Sequence, residues 1–396
     1  MTTLIVGAGA SGLVLAIKLK LNNLNHKVII IDKNNKPGRK LSVTGNGKCN
    51  IGNINLSSNY YRNKVFSDLV FNKYDFKAQC DFFECLGIKT KMIHELCYPF
   101  SESAKTFVDY LYSYALEQGV EFRFEEELID YLVEEKSIKA KTNKNVYKID
   151  NLVFGTGGKS YSKFGSDGKI FDILKSHKYQ ISKMYPGLCP IKTKEVTKII
   201  SGMRLKANVS LLLDNKISYE ENGEVLFKDD GLSGIAIFNT SSIIARNINN
   251  FNNANIVLDL FPDMTLDELT KEFMKKSEGN YFNILKGYFV QNVASYILKR
   301  ANLNIDLKIE NKKDIVNLAK ICKNFAFTYK DLYDFENAQV TIGGLSINNL
   351  GKYLESNIEN NVYFVGEIID NDGLCGGFNL MWAFGSALYL GDNLCK

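Results

Sequence analysis

Three glycines and one carboxylate near the amino terminus have the spacing of an anion-binding turn. Thr2–Val6 is an apolar run, Gly7-Ala8-Gly9-Ala10-Ser11-Gly12 follows, and residues 13–21 have the small, apolar character of a buried helix. Strand, glycine turn and helix in that order suit a dinucleotide pyrophosphate. Gly7 permits the tight turn, Gly9 lets backbone N–H groups approach the phosphates, and Gly12 lets helix and strand pack closely. Ala10 and Ser11 open the helix whose positive end faces the anion. A second apolar strand, 27–31, ends at Asp32, twenty residues after Gly12. A carboxylate there suits a ribose 2′-OH and repels a 2′-phosphate. Lys33 adjoins it and is grouped with the same site.

A second dense segment runs from Pro37 to Asn50 and mixes glycines, cations and small hydroxyl residues. Arg39, Lys40 and Lys48 offer charge to phosphates or to an anionic flavin edge, and glycine-rich backbone offers N–H donors. The cofactor-binding candidates here are Arg39, Lys40, Thr44, Gly45, Asn46, Gly47, Cys49 and Asn50. Gly155-Thr156-Gly157-Gly158 closes an apolar strand at 150–154, which places Thr156, Gly157 and Gly158 beside the first turn. Near the carboxyl end a strand at 362–365 leads into Gly366, Glu367, Asp370, Gly373, Gly376, Gly377, Phe378 and Asn379, then an apolar helix from about 380 to 391. A glycine-rich helix entry puts a second positive N-terminus at a ligand, plausibly the flavin N1–C2=O edge, where negative charge grows on reduction. Glu367 is placed to accept from ribitol hydroxyls.

These residues need elements to hold them. Apolar spacing predicts helices over 67–86 and 104–118, with Gly119 as a C-cap. Strands are expected at 120–124, and a small meander at 128–133, 137–141 and 145–149. Further on, strands are expected at 206–213, 217–219, 225–227 and 255–260. Helices follow at 264–275, 281–300 and 312–323, and strands return at 324–334 and 340–342.

The chain has 396 residues, 45% hydrophobic and 23% charged, with a formal net charge of +5. That is an ordinary globular composition, long enough for two or three domains. The mild positive balance permits an anionic partner without demanding one. The eight cysteines, Cys49, Cys80, Cys85, Cys97, Cys189, Cys322, Cys375 and Cys395, form no CxxC pair and no zinc spacing. They fit a reducing cytoplasm better than a disulfide framework. No metal is expected: His26, His94 and His177 lie in no ligand-like spacing. No membrane span is expected either, because the most apolar stretch, 4–21, is broken by glycines and Lys18. Cys375 is the one cysteine in a glycine-rich cofactor loop. It is either a redox-active or proton-donating thiol or simply a small loop residue, and it is the sole catalytic candidate.

The chain resembles the BaiN-like (YhiN-like) bacterial flavoproteins, also described as aminoacetone-oxidase-family FAD-binding enzymes. The resemblance is carried by GAGASGL from Gly7, PGRKLSVTGNGKCN from Pro37, YPFSESA from Tyr98, GTGGKSY from Gly155, GLSGIAI from Gly231, AQVTIGGL from Ala338 and YFVGEIIDNDGLCGGFNLMWA from Tyr363. It implies an α/β fold: a discontinuous Rossmann-like FAD-binding domain of the two-dinucleotide-fold type, with an inserted β-barrel-like domain and a helical subdomain. The expected boundaries are 1–188 and 337–396 for the FAD domain, 189–262 and 324–336 for the barrel, and 263–323 for the helices. Four positions depart from the family pattern: Lys48 stands for a usual Arg, Leu96 for a frequent Arg, Phe378 for a common Tyr and Met381 for a common Gln. FAD binding tolerates these changes, and the substrate contacts are where they bear.

The expected activity is FAD-dependent oxidoreduction with hydride passing through flavin N5. No second GxGxxG occurs, so NADH or NADPH would bind only transiently as electron donor. The substrate is expected to be a small molecule. The alternatives are a ribosomal RNA dihydrouridine synthase and a non-catalytic flavin-binding redox sensor. Residues 263–323 carry eleven basic against eight acidic side chains, an excess that suits RNA contact or an ordinary solvated helical face.

Overall fold

The computed structural model describes residues 1–276, 279–304, 309 and 311–394. Cys395 and parts of the 263–323 segment lie outside the described residues. The chain forms two compact units, residues 1–186 with 338–396, and residues 187–337.

The first unit is built on a five-stranded parallel sheet. Its order is Val362–Phe364, Asn151–Phe154, Thr2–Val6, Lys27–Asp32, Glu121–Phe124. The central strands are near-continuous apolar runs because the sheet is covered on its faces, by helix Ala10–Asn22 and by the meander strands Ile138–Thr142 and Val146–Ile149. Leu4, Ile5, Ile30, Ile31, Leu152, Val153 and Phe154 are all buried. Val6 lies in register with both Ile31 and Phe154. The three strands therefore end level, and Gly7, Asp32 and Gly155 emerge side by side. Connections leave Thr2–Val6 toward one edge and Asn151–Phe154 toward the other. The crevice between these two strands is thus the switch point at which such sheets bind ligands.

Helix Ala10–Asn22 packs on the long carboxyl-terminal helix Phe378–Leu394. The expected single helix over 67–86 is instead two, Lys64–Phe71 and Phe76–Cys85. Polar residues 72–75 interrupt it, and Asp75 caps the second helix by accepting the Ala78 N–H at 2.8 Å. A meander of Leu128–Val133, Ile138–Thr142 and Val146–Ile149 and a small sheet of Gly52–Asn53, Leu96–Pro99 and Thr90–Ile93 complete the frame. Ile181–Gly187 pairs with Val340–Leu345 where the chain leaves and returns.

The second unit is a closed antiparallel barrel of Ile191–Thr193, Gly231–Ser233, Lys216–Lys228, Arg204–Leu213, Ala254–Asp259 and Phe325–Leu332. The two strands expected at 217–219 and 225–227 are one long strand, because Arg204–Leu213 pairs along its whole length. Helix Ile235–Asn247 was not foreshadowed: its β-branched residues argue for strand. Tertiary hydrogen bonds override that preference. Ser242 and Ser241 accept the Leu188 and Cys189 N–H groups at 3.1 and 3.0 Å. Helices Leu266–Met274, Tyr281–Leu285, Gln291–Arg300 and Lys312–Lys323 precede the last barrel strand. The expected helix over 281–300 is interrupted between Leu285 and Gln291.

His177 is stacked on Tyr131, with centroids 4.0 Å apart, and bridges Asp130 at 2.9 Å and Glu359 at 2.8 Å. Tyr131 and Tyr179 also donate to Glu359, at 2.5 and 3.0 Å. Burial opposes the imidazolium, but the hydrogen bonds to Asp130 and Glu359 outweigh it and raise the pKa above 6.5. The cluster's contribution is therefore complete below pH 6.5 and is lost as pH rises through the folded value. His177→Gln should cost about 1–2 kcal/mol at pH 6 and much less at pH 9. Urea unfolding of both proteins at the two pH values checks this; an equal cost at both would refute it.

Candidate functional site

The site begins where backbones meet without room for a Cβ. Gly7, at φ +106°, donates its N–H to the Ile31 carbonyl at 2.8 Å. A Cβ on Gly7 would lie 2.6 Å from the Gly155 carbonyl oxygen, and one on Gly12 would lie 2.0 Å from the Gly7 oxygen. Gly9 starts helix Ala10–Asn22 with no side-chain cap, and its first turn holds no acid. The N–H groups of Ala10, Ser11 and Gly12 are therefore left for an external anion. The Thr156 hydroxyl, beside this turn, is buried with no protein partner.

Asp32 ties the second strand to the turn. Its Oδ2 accepts the Ala8 N–H at 2.8 Å, and its Oδ1 accepts the Asn34 N–H and amide at 2.8 and 2.9 Å. Burial pushes its pKa up, against the lowering effect of these donors. A carboxylate oxygen has two acceptor positions, so Oδ2 has room for a further donor.

The 37–50 segment divides into different fates. Lys40 turns inward and contacts Ser160 Oγ at 2.7 Å and Glu367 at 2.8 and 3.0 Å. Glu367 also accepts from Ser160 Oγ at 3.2 Å and from the Thr341 N–H at 3.0 Å. Gly157 and Gly158 lie against this group; a Cβ on Gly158 would sit 2.4 Å from Thr341 Oγ1. Glu367 is thus anchored by protein donors on both carboxylate oxygens. Arg39 instead donates to Asn34 at 2.7 Å and lies over the Phe164 ring. Lys33 pairs with Asp167 at 2.6 Å. Gly45, Asn46 and Gly47 form an exposed left-handed turn, and Lys48 is paired with Glu102 at 2.8 Å. Thr44 donates to the Leu41 carbonyl at 2.7 Å. Cys49 is buried, which pushes its thiol up to about 12 and keeps it neutral.

Asn50 joins this loop to the carboxyl-terminal one. In the amide orientation that the surrounding donors and acceptors require, its nitrogen donates to the Cys97 and Gly52 carbonyls at 3.1 and 2.8 Å and its oxygen accepts the Gly377 N–H at 3.3 Å. Gly366, at φ +77°, would place a Cβ 2.7 Å from Ser11 Oγ, so the two glycine regions also meet. Gly366 donates to Ser386 at 3.0 Å and accepts from Trp382 at 3.1 Å. Asp370 is consumed by Arg62 at 2.6 Å, and Asn379 braces Gly373 with bonds of 2.9 Å in each direction. Asn53 donates to the Gly376 carbonyl at 3.1 Å. Tyr61 donates to the Phe378 carbonyl at 2.6 Å, and Tyr60 packs on the Phe378 ring at 4.7 Å. Cys375 sits 4.0 Å from Gln339 Oε1.

Several of these partners were not singled out by the sequence. Asn34, Arg62, Ser160 and Thr341 have no local signal, although Ser160 and Thr341 fall within GTGGKSY and AQVTIGGL. Among the described residues, no group of three or more His, Cys, Asp or Glu side chains is placed to hold a metal, and no helix is long and apolar enough to cross a membrane.

The sequence matches the family described as HI0933-like protein Rossmann domain over residues 1–393. A 3-dehydro-bile acid delta(4,6)-reductase from Clostridium scindens is 27% identical, covering 98% of this chain and 97% of the relative. A ribosomal RNA dihydrouridine synthase from Escherichia coli is 25% identical, covering 97% of this chain and 95% of that one. In fold, a 3-ketosteroid delta1-dehydrogenase from Sterolibacterium denitrificans matches with a TM-score of 0.50 at 10% identity, covering 99% of each chain. The chain belongs to the HI0933-like Rossmann flavoprotein family and is an FAD-dependent oxidoreductase.

The residues present fit that cofactor: an uncapped helix end, a cradle any Cβ would fill and the unpartnered Thr156 hydroxyl all suit an anionic dinucleotide. If Asp32 holds the adenosine ribose, Asp32→Ala removes a charge-assisted hydrogen bond of about 1.5–3 kcal/mol. FAD affinity should fall about ten- to a hundredfold, and the melting temperature should drop as Ala8 and Asn34 lose their acceptor. Titration of the apoprotein with FAD checks this, and unchanged affinity overturns the assignment.

Proposed function

We propose that this member of the HI0933-like family uses NADH or NADPH to reduce a carbon–carbon double bond in a small organic molecule. Bound FAD supplies hydride transfer at its N5 atom. The chain's own work is to hold and polarise. The N-terminus of helix Ala10–Asn22 takes the pyrophosphate and Asp32 the ribose. Lys40, Ser160 and Thr341 fix Glu367 for the ribitol. The backbone of Gly376, Gly377 and Phe378 opens the carboxyl-terminal helix toward charge that develops on reduction. The tyrosine bond to the Phe378 carbonyl keeps that first turn in place.

The observation that carries the redox reading is the switch-point crevice, where Gly7, Gly12 and Gly155 approach closely with an uncapped helix end beside them. The double-bond chemistry is supported by the names of the relatives. A delta(4,6)-reductase and a dihydrouridine synthase are both named for saturating a double bond.

Part of the positive charge of the second unit is taken up locally. Lys275 pairs with Glu272 at 2.9 Å, Lys276 lies 4.1 Å over the Tyr288 ring, and Lys323 pairs with Asp259 at 2.6 Å. Arg300, expected as part of a basic face, instead donates to the Ala326 carbonyl at 2.6 Å and lies over Phe325 and Phe327. Lys276, Arg300 and Lys323 are thus drawn into local structure, while Lys275, Lys299, Lys312 and Lys313 stay exposed. Ribosomal RNA remains the second reading because of the dihydrouridine synthase relatives. A flavin-binding sensor without turnover is the third, and steady-state turnover of any substrate would exclude it.

Two measurements separate these readings. On anaerobic mixing with NADH or NADPH, the flavin should bleach at a rate that keeps rising well beyond low micromolar nucleotide. Early saturation would mark a dedicated dinucleotide site and contradict transient binding. Deleting the gene should leave dihydrouridine in the host's ribosomal RNA unchanged by mass spectrometry. Loss of a dihydrouridine, restored by the intact gene, would replace the small-molecule reading with the RNA one.

A further inference from the structure

Two cysteines far from any CxxC motif meet beneath the carboxyl-terminal glycine loop. Cys80 is on helix Phe76–Cys85 and Cys97 on strand Leu96–Pro99. Their sulfurs are 3.9 Å apart and share a hydrogen bond. Among the described residues they are thiols, not a disulfide. Cys97 is 1% exposed, whereas Cys80 is half-buried.

The pair is wired to the site. The Cys97 carbonyl accepts the Ile51 N–H at 2.8 Å and the Asn50 amide at 3.1 Å, and Asn50 accepts the Gly377 N–H at 3.3 Å. Cys97 stands in register opposite Gly52, and a Cβ on Gly52 would meet Met381 Sδ at 3.2 Å and Phe76 at 3.5 Å. One strand therefore carries a sulfur on its side chain and, on its backbone, the support for the loop before Phe378.

The two sulfurs differ in access. Cys80 is the one a solute can reach, while Cys97 lies behind it at hydrogen-bond distance, the arrangement of an accessible thiol beside a resolving one. A disulfide needs sulfurs about 2.05 Å apart, so closure requires roughly 2 Å of side-chain movement.

We propose that Cys80 and Cys97 are a redox-modification site, a dithiol that a hydroperoxide converts to an intramolecular disulfide. The Cys80 sulfur attacks the peroxide, the O–O bond breaks, and a sulfenic acid forms as the other oxygen leaves, protonated, as alcohol or water. The Cys97 sulfur then attacks the sulfenic sulfur, the S–S bond forms, and the oxygen leaves as water with the Cys97 proton. Two thiols lose two electrons, and the peroxide bond gains them. This chemistry is independent of the substrate assigned above.

The test uses reduced, FAD-loaded protein treated with hydrogen peroxide and then mapped by peptide mass spectrometry. A linked Cys80–Cys97 peptide, lighter by two hydrogens and restored by dithiothreitol, is expected. Cys85→Ser removes the exposed thiol at the end of the same helix and should leave the link intact. In Cys97→Ser the resolving thiol is gone, so Cys80 should accumulate a dimedone-trappable sulfenic acid. Oxidation at Cys85 with Cys80 and Cys97 unlinked in the unmutated protein would overturn the proposal, and that result depends on no variant's folding.

Discussion

The site rests on backbone meeting backbone at the carboxyl edge of a parallel sheet. Val6, Ile31 and Phe154 end level, so the chain after each must pass its neighbours at van der Waals distance. Gly7 against Gly155 and Gly12 against Gly7 leave no space for a side chain. An alanine at Gly12 would force its Cβ onto a backbone oxygen, which cannot swing aside as a flexible side chain can. The cost of this closeness is unsatisfied N–H groups at an uncapped helix end, the kind of end that suits an anion. Strand register, glycine placement and the open helix end are one constraint.

A second layer holds the other end of the site. Lys40 and Glu367 are 327 residues apart in sequence and 2.8 Å apart in space. Ser160 and Thr341 complete the group from two further segments. Half-buried charges in such a network are stable because every member is partnered; removing one would leave a partner desolvated and unpaired. The arrangement fixes Glu367 and, through it, the turn that leads to the carboxyl-terminal helix. Arg62 performs the same service for Asp370. Residues that look like ligand acids in a glycine-rich segment thus divide into one that is braced near the ligand and one that braces the loop itself.

The barrel unit illustrates how charge counts mislead. An excess of lysine and arginine over 263–323 reads as a surface for a polyanion. Yet Arg300 over two phenylalanine rings and Lys323 in a salt bridge with Asp259 have already exchanged solvent for protein. Composition reports how many charges exist, while only packing reports how many remain available.

The sequence alone determined what depends on short range. Gly7, Gly9 and Gly12 before an apolar helix, and Asp32 after a second strand, specify a dinucleotide turn because local backbone geometry and helix polarity suffice. Four of the five parallel strands were legible as apolar runs, since a covered sheet needs no alternation, and the edge strand Glu121–Phe124 alternates charged and aromatic residues. The break at 72–75 and the helix at 235–247 were not. The first turns on where an Asp can cap, the second on hydroxyls that receive bonds from residues 188 and 189. Which of Arg39, Lys40, Lys33 and Lys48 faces inward was decided only by tertiary structure, as were the pairing of Asp370 with Arg62 and the meeting of Cys80 with Cys97. Each depends on the register of elements far apart in the chain, and no local pattern records that register.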